Sequence, residues 1–273
     1  MMLKTCFNVN NICFNYKRKQ TEVLKDLSFS IPKGKFTTII GPNGSGKSTL
    51  FGCLSGELLP SKGEILLYNQ RIECIPAKER AQKMAVVHQG TNIINGFTVY
   101  EIVSMGRTPY HKLGERDKKN DENTVSKALE LIGLRSFKDR KIEELSGGQQ
   151  QRVWLALAIA QDTEIILLDE PMNNLDVFYQ FEMLNVLKKM IATKGITVVA
   201  ILHDLNQVIK YSDYVITVQK GKILKTGDPL KVLTPNLMNN SQVFLAFALP
   251  FSMLPLLMFT DSRVEMGEHF KNS

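Results

Sequence analysis

Apolar and polar positions divide the chain into short strands and longer helical stretches. Apolar and polar residues alternate from Cys6 to Phe14, the period of a half-buried strand, here of the edge type. The same period runs through Leu27-Ser28-Phe29-Ser30-Ile31, followed by a Pro-Lys-Gly turn and a strand from Phe36 to Ile40 that ends in a glycine-rich loop. Beyond Lys62-Gly63 the pattern predicts a short strand from Glu64 to Tyr68, a charged helical stretch from Pro76 to Lys83, and a buried strand from Met84 to His88. A polar loop then opens into a helical region, Val99 to about Ala160, with capping residues at Thr98 and Ser146. Strand Ile165 to Leu168, helix Val177 to about Ala192, strand Ile196 to Leu202, helix Leu205 to Lys210 and a β pair around Gln219 to Lys222 complete the series. Strands separated by helices predict an α/β fold, its sheet largely parallel and covered on both faces.

The length of 273 residues and a hydrophobic content of 44% allow one large domain or two small ones. A net charge of +7 raises nucleic acid or an anionic membrane surface as partners. The basic residues are spread along the chain, however, and the one dense run, Lys17-Arg18-Lys19, is too short for a nucleic-acid arm. The four cysteines form no C-x-x-C pair, which speaks against a zinc site or a disulfide framework and for buried free thiols in a reducing compartment. The first residues lack the unbroken apolar stretch and cleavage site of a secretory signal.

Two motifs carry the chemistry. Gly41-Pro42-Asn43-Gly44-Ser45-Gly46-Lys47-Ser48-Thr49 fits G-x-x-x-x-G-K-[ST] and lies between a strand and a helix, as a phosphate loop must. Its glycines let successive backbone N–H groups turn around a phosphate, Lys47 offers a point charge to the β- and γ-phosphates, and Ser48 can ligate Mg²⁺. The sequence Ile165-Ile166-Leu167-Leu168-Asp169-Glu170 delivers two carboxylates from a buried strand to the sheet's carboxyl edge, where α/β folds bind ligands. Asp169 suits the Mg²⁺ site, and Glu170, one residue on, suits a general base that takes a proton from the attacking water.

Many phosphate-loop proteins share these motifs, but Leu145-Ser146-Gly147-Gly148-Gln149-Gln150-Gln151-Arg152, shortly before the acidic strand, identifies the chain as a member of the ABC ATPases. Ser146 is an N-cap-type hydroxyl before two glycines at a helix start, a second phosphate-binding helix terminus. The resemblance covers residues 3 to about 237 and implies ATP and Mg²⁺ as cofactors. It also implies a RecA-like core with an N-terminal antiparallel β subdomain and an inserted helical subdomain at about 98–160. Ser146, Gly147, Gly148 and Gln149 of one subunit are expected to close on the nucleotide held by the other, in a homodimer. Tyr16 is expected to stack on adenine, Gln89 to sense the γ-phosphate and join the Mg²⁺ site, and His203 to act as the switch histidine. Asn173-Asn174-Leu175-Asp176 fits the family's interface loop, and Met172 departs from its usual small or hydroxyl residue.

TVYEIVSMGRTPY (98–110) and LHDLNQVIKYSDYV (202–215) are similar to importers of ferric siderophores, haem and cobalamin. This resemblance implies a peripheral subunit on the cytoplasmic face of the membrane, working with permease subunits, with an extracytoplasmic binding protein and without nucleic acid. An exporter subunit stays open as the alternative. Residues 243–260 hold no charge and are just short of a bilayer span, and the surrounding Ser241 to Asn272 resembles a late transmembrane segment of NRAMP metal transporters. A gene fusion, an error in the source sequence and a membrane-inserted C-terminal helix remain the three readings of 238–273.

Overall fold

The computed structural model describes residues 4–16, 21–89, 95–111, 117–172 and 175–234. The tail from residue 235 on, with the apolar run and its NRAMP resemblance, lies outside them, as do the basic run at 17–19 and Asn173-Asn174. Among the described residues no helix is long and apolar enough to cross a membrane.

In chain order the structure opens with strands β1 (Thr5–Phe14), β2 (Leu24–Pro32) and β3 (Phe36–Ile40), followed by helix α1 (Lys47–Leu54). Next come β4 (Lys62–Leu67), β5 (Gln70–Arg71), α2 (Ala77–Lys83) and β6 (Met84–Val87). Three helices follow, α3 (Val99–Met105), α4 (Lys118–Leu131) and α5 (Gly147–Ala160). The chain then runs through β7 (Ile165–Asp169), α6 (Val177–Lys194), β8 (Thr197–Ile201), α7 (Leu205–Tyr211), the hairpin β9 (Tyr214–Gln219) and β10 (Lys222–Gly227), and α8 (Pro229–Val232).

Two sheets result. The first has the order β2-β1-β4-β5 and antiparallel pairing throughout. β1 is therefore an interior strand with partners on both sides, not the edge strand its alternation suggested. Alternation reports one buried and one open face, and says nothing of how many neighbours the backbone has. The second sheet has the order β10-β9-β3-β8-β7-β6, parallel except for the β9–β10 hairpin.

Both faces of the parallel strands of the second sheet are buried, and these strands split their side chains between two cores. Ile39, Ile165, Leu167, Val199 and Ile201 face the first sheet and α1, together with Phe7, Ile12 and Leu50. Ile40, Ile166, Leu168, Val198 and Ala200 face the other way, onto α3 to α6. Among the described residues the predicted helical region is three separate helices, because each stretch has its own start and stop. Thr98 and Ser146 both form capping boxes, with Glu101 and Gln149, and Asp117 caps α4.

Two buried arginines staple α4 and α5 at opposite ends. Arg107, after α3, donates Nε to Asp121 in the first turn of α4 at 2.9 Å and Nη1 to the carbonyl of Ala160 at the end of α5 at 3.0 Å. His111 meets the other Asp121 oxygen at 2.8 Å, and Tyr110 lies under the Arg107 guanidinium at 4.2 Å. Arg152, near the start of α5, donates to the carbonyl of Ile132 just past α4 and lies 4.3 Å over the Tyr179 ring of α6. Each guanidinium thus meets the negative end of a helix.

Of the cysteines, Cys6 and Cys53 are buried, whereas Cys13 is partly exposed and Cys74 is exposed. The expectation of four buried thiols fails for two of them, because Cys74 ends a single surface turn whose buried anchor is Ile72.

Candidate active site

Four adjacent parallel strands end at one edge of the sheet, and each delivers one part of the site there. β3 leads into the loop 41–46, β7 ends in Asp169 with Glu170 next, β6 is followed by Gln89, and β8 is followed by His203. Residues spread from position 41 to position 203 in the sequence meet for this reason.

The loop is built to curl. Gly44 and Gly46 have φ of +73° and +106°, which favour glycine, and a Cβ on Gly44 would meet nothing within 4 Å. Gly41 lies so close to the backbone of Val218 that any side chain would overlap it. Lys47, the first residue of α1, is buried and donates Nζ to the carbonyls of Gly41 and Pro42 at 2.9 and 3.1 Å. Burial lowers its pKa, opposed by the charges of Glu170 and Asp169. Asn43 and Ser48 are exposed, while Ser45 and Thr49 are buried.

Burial raises the pKa of Asp169, and the neighbouring Glu170 raises it further, against the opposing pull of His88, Lys47 and His203. Among the described residues, Oδ1 of Asp169 and Oγ of Ser45 are buried with no hydrogen-bond partner. Unmet acceptors of this kind beside a cationic lysine and a glycine-lined loop fit a polyphosphate and its cation. No group of three His, Cys, Asp or Glu among the described residues could hold a metal by itself.

Glu170 is held between two of the expected residues. His203 Nε2 lies 2.5 Å from its Oε1, and Gln89 donates Nε2 to its Oε2 at 2.7 Å. Its backbone has φ +48°, the left-handed region, which turns the chain sharply as it leaves β7. Tyr16 is 42% exposed, packs edge-on against Phe14, and shares a 3.2 Å hydrogen bond between its hydroxyl and that of Thr49. Its ring therefore stands beside the start of α1, next to the loop.

The signature residues lie elsewhere. Ser146 caps α5, accepting from the Gln149 amide at 3.3 Å while its own amide donates to Gln149 Oε1 at 3.0 Å. With Gly147, Gly148, Arg152, Asp176 and Tyr179 these residues line a cleft of about 580 Å³ that none of residues 41–49, 169 and 170 borders. Within one chain the loop 41–49 and the helix start at Ser146 open into different places. Sequence reasoning did not foresee that Gln89 and His203 both contact Glu170, nor that Gln180 and Gln207 meet by a hydrogen bond. No local pattern marks side chains that meet across so many residues.

The sequence model of the ABC transporter family matches residues 24–173. The chain belongs to that family. As an ABC ATPase it binds and hydrolyses ATP. It is similar to the iron(3+)-hydroxamate import ATP-binding protein FhuC of Bacillus subtilis (strain 168), 41% identical over 222 residues that cover 81% of this chain and 82% of FhuC. It is 40% identical to the ferric enterobactin transport ATP-binding protein FepC of Escherichia coli (strain K12), over 79% of each chain. Among solved structures, the ATP-binding cassette MJ0796, a dimer in a post-hydrolysis state bound to ADP and Pi, superposes with a TM-score of 0.74 at 29% identity. The match covers 82% of this ABC ATPase and 98% of that chain.

Proposed function

We propose that this ABC ATPase energises import of an iron chelate. In this reading two identical copies lie at the cytoplasmic face of the membrane, bound to permease subunits that receive cargo from an extracytoplasmic binding protein. The named cargoes of FhuC and FepC support the iron chelate. The dimeric MJ0796 cassette supports the pair.

The observation that carries the hydrolytic reading is Glu170, held between Gln89 and His203 beside the phosphate loop. Loop residues 43–46 offer backbone N–H groups to the ATP phosphates, Lys47 neutralises the β- and γ-phosphates, and Thr49 and Tyr16 border the base, with Tyr16 stacking on adenine. Ser48, Asp169 and Gln89 would hold Mg²⁺, with phosphate oxygens and water completing a shell that this ion fills sparingly from protein. The ion, when bound, neutralises charge that develops on the phosphates. Glu170 orients the attacking water and accepts its proton, while His203 and Gln89 fix the carboxylate and read the γ-phosphate. Ser146, Gly147, Gly148 and Gln149 of the partner subunit close the site from the other side.

Two substitutions separate these roles. Lys47→Ala should abolish ATP binding, because it removes ground-state charge pairing, whereas Glu170→Gln should bind ATP normally and turn over at least a hundredfold more slowly, on the order expected for a lost general base. Nucleotide titration and phosphate release measure both. Parent-level turnover by Glu170→Gln would remove Glu170 from the chemistry.

A further inference from the structure

The chain leaving Glu170 is gripped from inside the fold by a glutamine. Gln180, in the first turn of α6, donates its Nε2 to the carbonyls of Met172 at 3.2 Å and Leu175 at 3.0 Å, so that one amide holds both sides of positions 173 and 174. Its Oε1 accepts from Nε2 of Gln207 at 2.7 Å. Gln207 lies on α7, four residues beyond His203, and is 3% exposed.

The chemistry fixes both amides. Two carbonyl oxygens can be met only by an NH₂ group, so the Gln180 oxygen must face Gln207, which must donate. With Glu170, Met172, His203 and Asp204, the two glutamines line a cavity of about 100 Å³ directly behind the reacting carboxylate. Packing alone does not account for a buried amide at 207, since its neighbours on α7, Leu205 and Val208, are buried apolar residues and a side chain of that kind carries no desolvation penalty.

We propose that Gln180 and Gln207 are positioning residues for ATP hydrolysis. They tie the segment after β8 to the segment after β7, behind the direct contact between His203 and Glu170. The direct contact joins the two strand ends at the reacting atoms, and the glutamine pair joins them again through the backbone on either side of 173–174. With both in place, Glu170 cannot drift from the line of attack when His203 turns toward a phosphate. The proposal rests on the assignment of Glu170 and His203 made above.

The test uses the full chain, ATP and four near-isosteric variants, with Glu170→Gln alongside. Gln180→Met and Gln207→Met should each lower kcat about five- to tenfold, the scale of one or two lost hydrogen bonds, and leave KM within about twofold. The double variant should be no slower than Gln180→Met, because cutting the first link already empties the second. Gln207→Glu can donate only when protonated, so its kcat relative to the parent should rise as the pH is lowered. Parent-level kcat in both methionine variants, multiplied losses in the double variant, or kcat and KM moving together with a falling melting temperature would overturn the proposal. If Gln180→Met does not fold, the two Gln207 variants decide the matter by the same criteria. An active Glu170→Gln would overturn the underlying base assignment instead, whereas an inactive one beside fully active glutamine variants overturns the positioning role of Gln180 and Gln207 alone.

Discussion

Arg107→Ala should be among the most destabilising single changes in the helical part of the molecule. The side chains of Arg107 and Asp121 are only 7% and 8% exposed, and the guanidinium bridges Asp121 to the Ala160 carbonyl at the end of α5. Removing one member of a buried ion pair costs about 3–5 kcal/mol, because the remaining charge is stranded. His111 stays in contact with Asp121, which places the loss near the lower end, about 3 kcal/mol. For a chain of this size that lowers Tm by about 6–12 °C. Arg107→Met combined with Asp121→Asn should recover about half of it, since no charge is then left buried. The pH dependence has a definite sign. Burial pushes the Asp121 carboxyl up, but hydrogen bonds from Arg107 and His111 outweigh it and hold its pKa below the ordinary value. The stabilisation is therefore complete above the ordinary carboxylate range and is lost only as the pH falls through the depressed folded-state value. Thermal melts of parent, single and double variants at pH 7 and in acid measure all of this. A single variant that melts within 2 °C of the parent, or a double variant whose loss is the full sum, would refute the reasoning.

Three other outcomes follow from the site and the tail. Asp169→Asn should melt at a higher temperature than the parent at pH 7 without nucleotide and should not hydrolyse ATP. Its raised pKa means that ionisation becomes a growing burden as the pH climbs from the ordinary carboxylate range through the raised value, and a neutral amide removes that burden; melts from pH 4 to 8 test the sign. Glu170→Gln with saturating ATP should sediment as a dimer, since the cleft at Ser146 lies away from the same chain's phosphate loop, and a persistent monomer would argue against a composite site. Ending the chain at Leu237 should leave ATP binding intact, because every site residue precedes it, while the full chain, with the uncharged run at 243–260, should partition into membranes or aggregates; sedimentation of both proteins compares them.

Most of the architecture could be read from the sequence, because its parallel strands are continuous apolar runs bounded by motifs with fixed offsets. The run Ile165 to Leu168 was legible, and the strand extends just one residue further, to include Asp169. Asp169 and Glu170 were expected at the site from their position at a strand end, Lys47 from the phosphate-loop motif at a helix start, and His203 from the family resemblance. Local pattern could not reveal that β1 is interior, which depends on pairing with β4, distant in sequence. Nor could it reveal contacts made by side chains alone. Gln180 lies in the first turn of a helix where an exposed polar residue would look the same, and only folding sets it against Gln207. The capping boxes at Thr98 and Ser146 were half legible: the caps were read, but not the reciprocal bonds from Glu101 and Gln149.

The left-handed backbone at Glu170 has a consequence for anyone redesigning this chain. A residue with a side chain gives up roughly 1–2 kcal/mol in that conformation, which glycine adopts freely. At position 170 the backbone therefore favours glycine, against the contacts that the Glu170 carboxylate makes with His203 and Gln89. A design procedure that scores backbone strain alone would place glycine there and delete the carboxylate together with those two contacts. Such a protein would keep Lys47 and the phosphate loop, so a screen that reads only ATP binding would pass an inert ATPase.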